Sequence, residues 1–453
     1  MAGTPAAASM GTAPSLHGCA PMPSASRRQV LAGLTGACIS LAAFNQRAMA
    51  RVADAERIAG GRAAPLLAQD ETYWSMIQRA FDAERTLINL NNGGVSPAPT
   101  HVLEQMVRDL RFVNELPAVH NWQILEPRME STRRDVAAEF GCDPEELAIV
   151  RNASEGLETM ILGIDLQRGD EVIITNQNYG RMVTTWKQRA RRDGIVVREV
   201  SFPVPLTDPG VLVRTIEAAI TPRTRAIELP HITNLTGQVL PIRDIVRLAR
   251  PHGIQVFVDG AHAFAQLPFK RDDLECDYYA TSLHKWLHAP IGSGFLYVRR
   301  DRIPALWPLM GADESRTANV RKYEEIGTHP QAVFNAVSVA VAFHRGIGVE
   351  RKVARLRYLR DRWAKALLAR SERVRVPTPL GPDQGGAIGL LSVDGLAPAA
   401  FSGWLMDKYR IVTTPIVHPE FSGVRITPSI YTQVQEIDTF IDAASRAIRE
   451  GIG

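Results

Sequence analysis

The chain has 453 residues, 45% hydrophobic and 22% charged, a balance that excludes a disordered or fibrous protein and a length that exceeds one average domain. Its formal charge of +4 comes from the front end: residues 1–50 hold Arg27, Arg28 and Arg47 and no acid, so three of the 52 basic residues fall away and 49 remain against 48 acidic ones. That near-neutral remainder argues against nucleic acid as the main partner.

Ser26-Arg27-Arg28-Gln29-Val30-Leu31 is a twin-arginine pattern, followed by an apolar run from Leu31 to Phe44 and by Ala48-Met49-Ala50, the form of a cleavage site. The order predicts a Tat signal peptide over 1–50, handled by the Tat translocase, and a periplasmic protein. The apolar run is shorter than the ~20 residues of a spanning helix, so no stable membrane anchor is expected after cleavage. Cys19 and Cys38 fall within that segment; Cys142 and Cys276 remain, either paired or as two buried free thiols.

Residues 51–84 read as a lead-in and a helix, the helical pattern running from Glu71 to Arg85. A large domain is expected over 85–338. It opens with Leu87-Ile88-Asn89-Leu90-Asn91-Asn92-Gly93-Gly94, a strand entering a loop that glycines can close tightly; Asn91 and Gly93 either lie against a ligand or are plain turn formers. From Leu147 strand patterns recur at 147–151, 171–175, 195–200, 225–229, 255–258, 277–282 and 295–298. Helical stretches such as 154–164, 184–192 and 242–252 lie between several of them. Strand, helix, strand at this spacing predicts an α/β fold with a mainly parallel sheet covered on both faces, and ligands at the carboxyl ends of its strands. After about Val339 an Arg-rich amphipathic helix (349–370), shorter strands and a closing helix from Gln435 predict a smaller α/β domain over 339–453.

Chemistry-bearing residues collect at those strand ends. Asn152-Ala153-Ser154-Glu155-Gly156 opens a helix after a strand, where free N–H groups and a hydroxyl suit a phosphate, or where Ser154 is only a cap. Tyr179 offers an aromatic face. His231-Ile232-Thr233-Asn234 brings an amide able to donate to a phenolate, or to close a turn. Val258-Asp259-Gly260-Ala261-His262 sets a carboxylate at a buried strand end, where it needs a partner such as a pyridinium N–H or caps the next helix. Ser282-Leu283-His284-Lys285-Trp286 places one lysine at the mouth of an apolar pocket, where desolvation lowers its pKa and a free amine can form a Schiff base with an aldehyde.

In this order, with Lys285 following Asp259 by 26 residues, the pattern resembles pyridoxal-phosphate enzymes of fold type I, specifically the class V aminotransferase family, which includes cysteine desulfurases and isopenicillin N epimerase. The likeness spans about residues 85–445 and is most specific in V-D-G-A-H and S-L-H-K-W. It implies a seven-stranded mixed sheet and pyridoxal 5'-phosphate as cofactor. Lys285 would be joined to that cofactor and then move the substrate's α-proton. Asp259 would pair with the pyridine nitrogen, and Tyr179 would stack on the ring where many relatives have His. His262 would lie nearby, and Asn234 would face the phenolic oxygen. Ala153, Ser154, Ser282 and His284 would hold the phosphate. Thr328, in Gly327-Thr328, would reach the phosphate of a neighbouring subunit, implying a homodimer. Arg425, in V-R-I-T-P-S-I-Y, would grip the substrate carboxylate, with Asn91 and Gly93 at the substrate's edge.

The expected activity is aminotransferase- or epimerase-type chemistry on an amino acid or amino-acid-derived metabolite. A pyridoxal-phosphate C–S or C–N lyase and a catalytically inactive sensor remain open. Cysteine desulfurase is disfavoured because no cysteine follows Cys276, and His288-Ala289-Pro290 departs from the usual pocket edge. His284 and His288 lack a third ligand nearby, so no metal is expected. Gly346-Ile347-Gly348 lacks the third glycine of a dinucleotide site.

Overall fold

The computed structural model describes residue 57 and residues 59–453; the predicted signal peptide lies outside the described residues. In chain order, α1 (Glu71–Gln78) leads to β1 (Ile88–Asn89), and α2 (Thr100–Glu115) and α3 (Glu126–Phe140) follow. The strands β2 (Leu147–Val150), β3 (Glu171–Thr175), β4 (Val196–Val200), β5 (Thr224–Pro230), β6 (Gln255–Asp259), β7 (Tyr278–Ser282) and β8 (Gly294–Val298) match the seven strand patterns to within a residue or two. Helices α4 (Ala153–Gly163), α5 (Gly180–Asp193), α6 (Pro209–Ala219) and α7 (Ile242–Ala249) make the crossovers.

The seven strands form one sheet in the order β2-β8-β7-β6-β5-β3-β4. Pairing is parallel from β4 through β7 and antiparallel at β7–β8 and β8–β2, which makes the sheet mixed. Strands β2, β3, β7 and β8 are buried at every position, as a sheet covered on both faces requires. One cover contains Phe140, Tyr279 and Phe295; the other contains Leu157, Trp186 and Phe257. Helix α4 approaches β7 so closely that a Cβ on Gly156 would lie 2.7 Å from Ala280 Cβ, and glycine there sets the helix amino end against the strand end.

Beyond β8 come α8 (Gln331–Ile347), α9 (Val349–Leu368), β9 (Val374–Arg375), β10 (Gly389–Val393), α10 (Pro398–Tyr409), β11 (Ile411–Val412), β12 (Thr414–Val417), β13 (Ser422–Ile426) and α11 (Val434–Glu450). A four-stranded antiparallel sheet, β12-β13-β10-β9, packs with α9, α10 and α11 around Trp363, Leu391, Phe401, Val424 and Phe440. Two findings differ from the sequence reading. Helices α2 and α3 occupy a stretch for which the sequence suggested no element, because α2 turns Gln105 and Asp109 inward beside Val102 and so blurs the apolar period. Strand β1, read with the large part, pairs in parallel with β11 (Ile88↔Ile411, Asn89↔Val412), joining the front of the chain to its C-terminal part. Cys142 and Cys276 are both free, Cys276 buried.

Candidate active site

A cleft of about 770 Å³ opens at the carboxyl ends of the large sheet. Gly93, Ala153, Ser154, Tyr179, Asn234, Asp259, His262, Ser282, His284, Lys285 and Arg425 all line it, so residues spread over more than three hundred positions meet in one place. Asn91 stands behind Arg425. Thr328 is not brought in: it lines a separate cavity with Gly327, Trp122 and Gln331.

The amino end of α4 forms one wall. Its cap is Asn152, not Ser154: Asn152 Oδ1 accepts from the Glu155 N–H at 2.9 Å. Ser154 is thereby released to face the cleft. The Ala153 N–H donates to Ser282 Oγ at 3.0 Å, locking this helix end to the end of β7. His284 Nδ1 meets the Ser293 carbonyl at 3.1 Å. Together these groups form an anion cradle of backbone dipole, hydroxyl and imidazole. Opposite, Asn178 Oδ1 accepts from the Thr175 N–H and hydroxyl at 3.0 and 2.7 Å while its amide donates to the Glu228 carbonyl at 3.0 Å. That brace fixes the loop presenting Tyr179, which is 39% exposed.

The floor carries the charges. Asp259 is buried, and one oxygen accepts from the Ala261 N–H at 2.9 Å. Burial raises its pKa, opposed by that bond and by Lys285. Half-buried Lys285 meets His262 Nε2 through its Nζ at 3.2 Å. Burial brings this lysine down to about 8, with Asp259 pulling upward and Arg425 downward, so a useful share is free amine near neutral pH. His262 is held neutral by burial and by the cations Lys285 and Arg425. Arg425, on β13, donates to the Asn234 carbonyl at 2.8 Å and to Asn91 Oδ1 at 3.0 Å. Asn91 also accepts from the Thr414 hydroxyl at 2.6 Å. Burial alone lowers Arg425, to about 10.

Among the described residues, three buried polar atoms here have no partner: Asn234 Oδ1, His262 Nδ1 and Arg425 Nε. Buried groups are seldom left so. An anion cradle, an aromatic face, an amine and a buried carboxylate around unfilled polar atoms fit pyridoxal phosphate with an amino acid. Sequence reasoning missed Arg151, Arg181, Ile291 and Leu309, which also line the cleft. Arg181 could have been found from its place two residues after Tyr179, whereas Leu309 sits in a loop with no pattern of its own.

A sequence model of the family described as aminotransferase class-V matches residues 88–413. The chain belongs to the aminotransferase class-V family. It is a pyridoxal-phosphate-dependent enzyme of fold type I. Among class-V relatives, isopenicillin N epimerase of Streptomyces clavuligerus is 28% identical over 387 residues, covering 82% of this chain and 97% of that one. The probable cysteine desulfurase of Halobacterium salinarum is 30% identical over 401 residues, covering 82% and 94%. A structure of a C-DES mutant with glycine covalently linked to its PLP cofactor superposes with a TM-score of 0.74 at 23% identity, covering 81% and 98%, and shows the shared fold.

Proposed function

We propose that this class-V enzyme exchanges the α-hydrogen of an amino acid or amino-acid-derived metabolite, as an epimerase or aminotransferase, with Lys285 as its catalytic residue. The observation that carries this reading is the amine of Lys285, brought by burial to about 8 in a cleft where, among the described residues, Asn234 Oδ1, His262 Nδ1 and Arg425 Nε lack partners. Bound there, pyridoxal phosphate supplies an electron-withdrawing ring that acidifies the substrate's α-hydrogen. The cradle of Ala153, Ser154, Ser282 and His284 would hold its phosphate, and Asp259 would keep the ring nitrogen protonated. Tyr179 would cover one face and Asn234 would meet the phenolic oxygen. Arg425 would grip the substrate carboxylate by its fork and so aim the α-hydrogen. Lys285 Nζ would carry the cofactor and, once free, take up that proton; neutral His262 Nε2, within reach of Nζ, would accept a hydrogen bond from it and so orient it.

Several relatives favour a lyase as the second reading, among them a putative L-cysteine desulfhydrase from rice, 30% identical over 234 residues. Against a desulfurase, no cysteine follows Cys276, and burial pushes that thiol up to about 12. A homodimer is part of the proposal. Leu103, Val107 and Leu110 form an exposed apolar stripe on α2, with exposed Leu116 and Trp122 beyond it, and Thr328 lies in the cavity beside Trp122. Twin-arginine export to the periplasm is proposed from Arg27, Arg28 and Ala48-Met49-Ala50 alone.

Mass spectrometry of D- and L-amino acids incubated with the enzyme in deuterated water tests the reaction type. Deuterium at Cα with inversion, or with transfer of nitrogen, is expected. Side-chain cleavage would select the lyase, and an unlabelled, unchanged panel would contradict the proposal.

A further inference from the structure

Behind the turn that carries Lys285 sits a second lysine that the chemistry above does not use. Lys352, on α9, is 1% exposed, a rare place for an ammonium. Its Nζ donates to the Trp286 carbonyl at 2.6 Å and meets His344 Nδ1, on α8, at 3.0 Å. No carboxylate pairs with it among the described residues; the acid that acts on it is Glu139, on α3, whose Oε2 lies 3.9 Å from His344 Nε2. Burial brings Lys352 down to about 7, with Glu139 opposing.

The turn itself is tied at several points. The Leu283 carbonyl accepts from the Ala289 N–H at 3.1 Å, and the His284 carbonyl accepts from the Ser96 N–H at 3.1 Å. His288 meets the Pro97 carbonyl at 3.3 Å while held at a φ of 60°, a conformation few side chains tolerate. On the other side of Lys285, the Trp286 carbonyl is held by Lys352.

We propose that Lys352 is a positioning residue for the reaction, gripping the Trp286 carbonyl from the far side of the turn and so fixing the aim of Lys285 Nζ into the cleft. The grip depends on charge, because an ammonium donates more strongly than an amine. The groups facing Lys352 are His344 from α8, Glu139 from α3 and His288 from the turn; Arg345, paired with Glu139, and Lys270 act on His344 from beyond. His344 and His288 are held neutral by burial and then by Lys352 itself, so among the described residues Glu139 is the charged group that favours the ammonium. As pH rises through neutrality Lys352 loses its proton, and the turn, already strained at His288, loosens. The inference rests on Lys285 being the amine that takes the cofactor.

The test follows attachment, not turnover. Full-length protein freed of cofactor is mixed with pyridoxal phosphate and reduced with borohydride at intervals, from about pH 6 to about pH 9. The modified lysine is then mapped by mass spectrometry. Lys352→Met keeps the bulk and drops the charge. It is expected to slow attachment at Lys285 roughly tenfold at the acid end, with the ratio of wild-type to variant rates falling toward one at the alkaline end. Glu139→Gln leaves the lysine in place and should move that fall to lower pH. A ratio constant across pH, a variant as fast as wild type at the acid end, or a Glu139→Gln profile that superimposes on wild type overturns the proposal. The Glu139→Gln profile decides alone if the methionine variant does not fold. Cofactor found on another lysine overturns the reading of Lys285 as well, and the modified peptide tells the two failures apart.

Discussion

At the amino ends of β3 to β5, Glu171 is sealed from solvent and its carboxylate accepts from Arg198, Arg223 and Thr221 at 2.5 to 3.0 Å. Those bonds, Arg198 foremost, hold it down to about 2. Beside β2, buried Arg133 is forked by Glu324 at 2.6 and 2.9 Å and braced by Glu130 at 3.1 Å. At the carboxyl ends of the same sheet, His262 and Arg425 are also buried, and among the described residues His262 Nδ1 and Arg425 Nε, with Asn234 Oδ1 beside them, find no partner. The difference teaches where this molecule uses charge to hold itself together and where it leaves charge for a ligand to complete. A buried charge without a partner is expensive, so a cluster of them marks function more firmly than any one residue type.

Mutation at the two ends should therefore fail in opposite ways. Lys285→Ala should lower turnover at least about a thousandfold, and Asp259→Asn should approach that loss; melting temperature should change little in either, by kinetics and thermal denaturation on one preparation. At the structural end, Glu324→Ala takes the two-bond fork from buried Arg133 and leaves it Glu130 and the Leu147 carbonyl, so it should cost about 3 kcal/mol of stability, read by urea unfolding, while kcat/KM of the folded fraction stays at wild type. A loss of activity there without loss of stability would blur the comparison.

Much of this contrast was legible in the sequence. V-D-G-A-H and S-L-H-K-W gave Asp259, His262 and Lys285, and the strand patterns placed their ends on one rim, because parallel strands with helical crossovers leave little freedom in topology. Contacts between remote segments were not legible: the β1–β11 pairing, the approach of His262 to Lys285, and the burial of Lys352 depend on tertiary packing that no local pattern records. Ser154 was legible as a helix-end residue, but Asn152 takes the cap because the helix starts one residue earlier than the pattern suggested. Thr328 lies in another cavity, a separation that its place in the sequence does not record.

Smaller effects sharpen the picture. Arg425→Lys keeps the charge and loses the fork, so KM for the amino acid should rise roughly 10–100-fold with a lesser change in kcat, checked by initial rates. Glu228 is the mildest case. Its Oε2 accepts from Trp186 Nε1 at 2.7 Å, its Oε1 is buried without a partner, and burial with Asp259 beside it pushes the carboxyl up to about 8. Between its ordinary 4.5 and about 8, the native state keeps a proton that the unfolded chain has released, so stability falls as pH rises through that window. Glu228→Gln should flatten that fall, leaving the variant relatively more stable above pH 8, and melting curves across pH read it directly.

The most direct measurement of the central claim is the visible absorption of the purified protein with added pyridoxal phosphate, followed across pH in wild type and in Lys285→Ala. A bound, coloured cofactor whose attachment rises through about pH 8 and vanishes in the variant is the predicted result. Wild-type protein that stays colourless, or colour that survives the loss of Lys285, would contradict it.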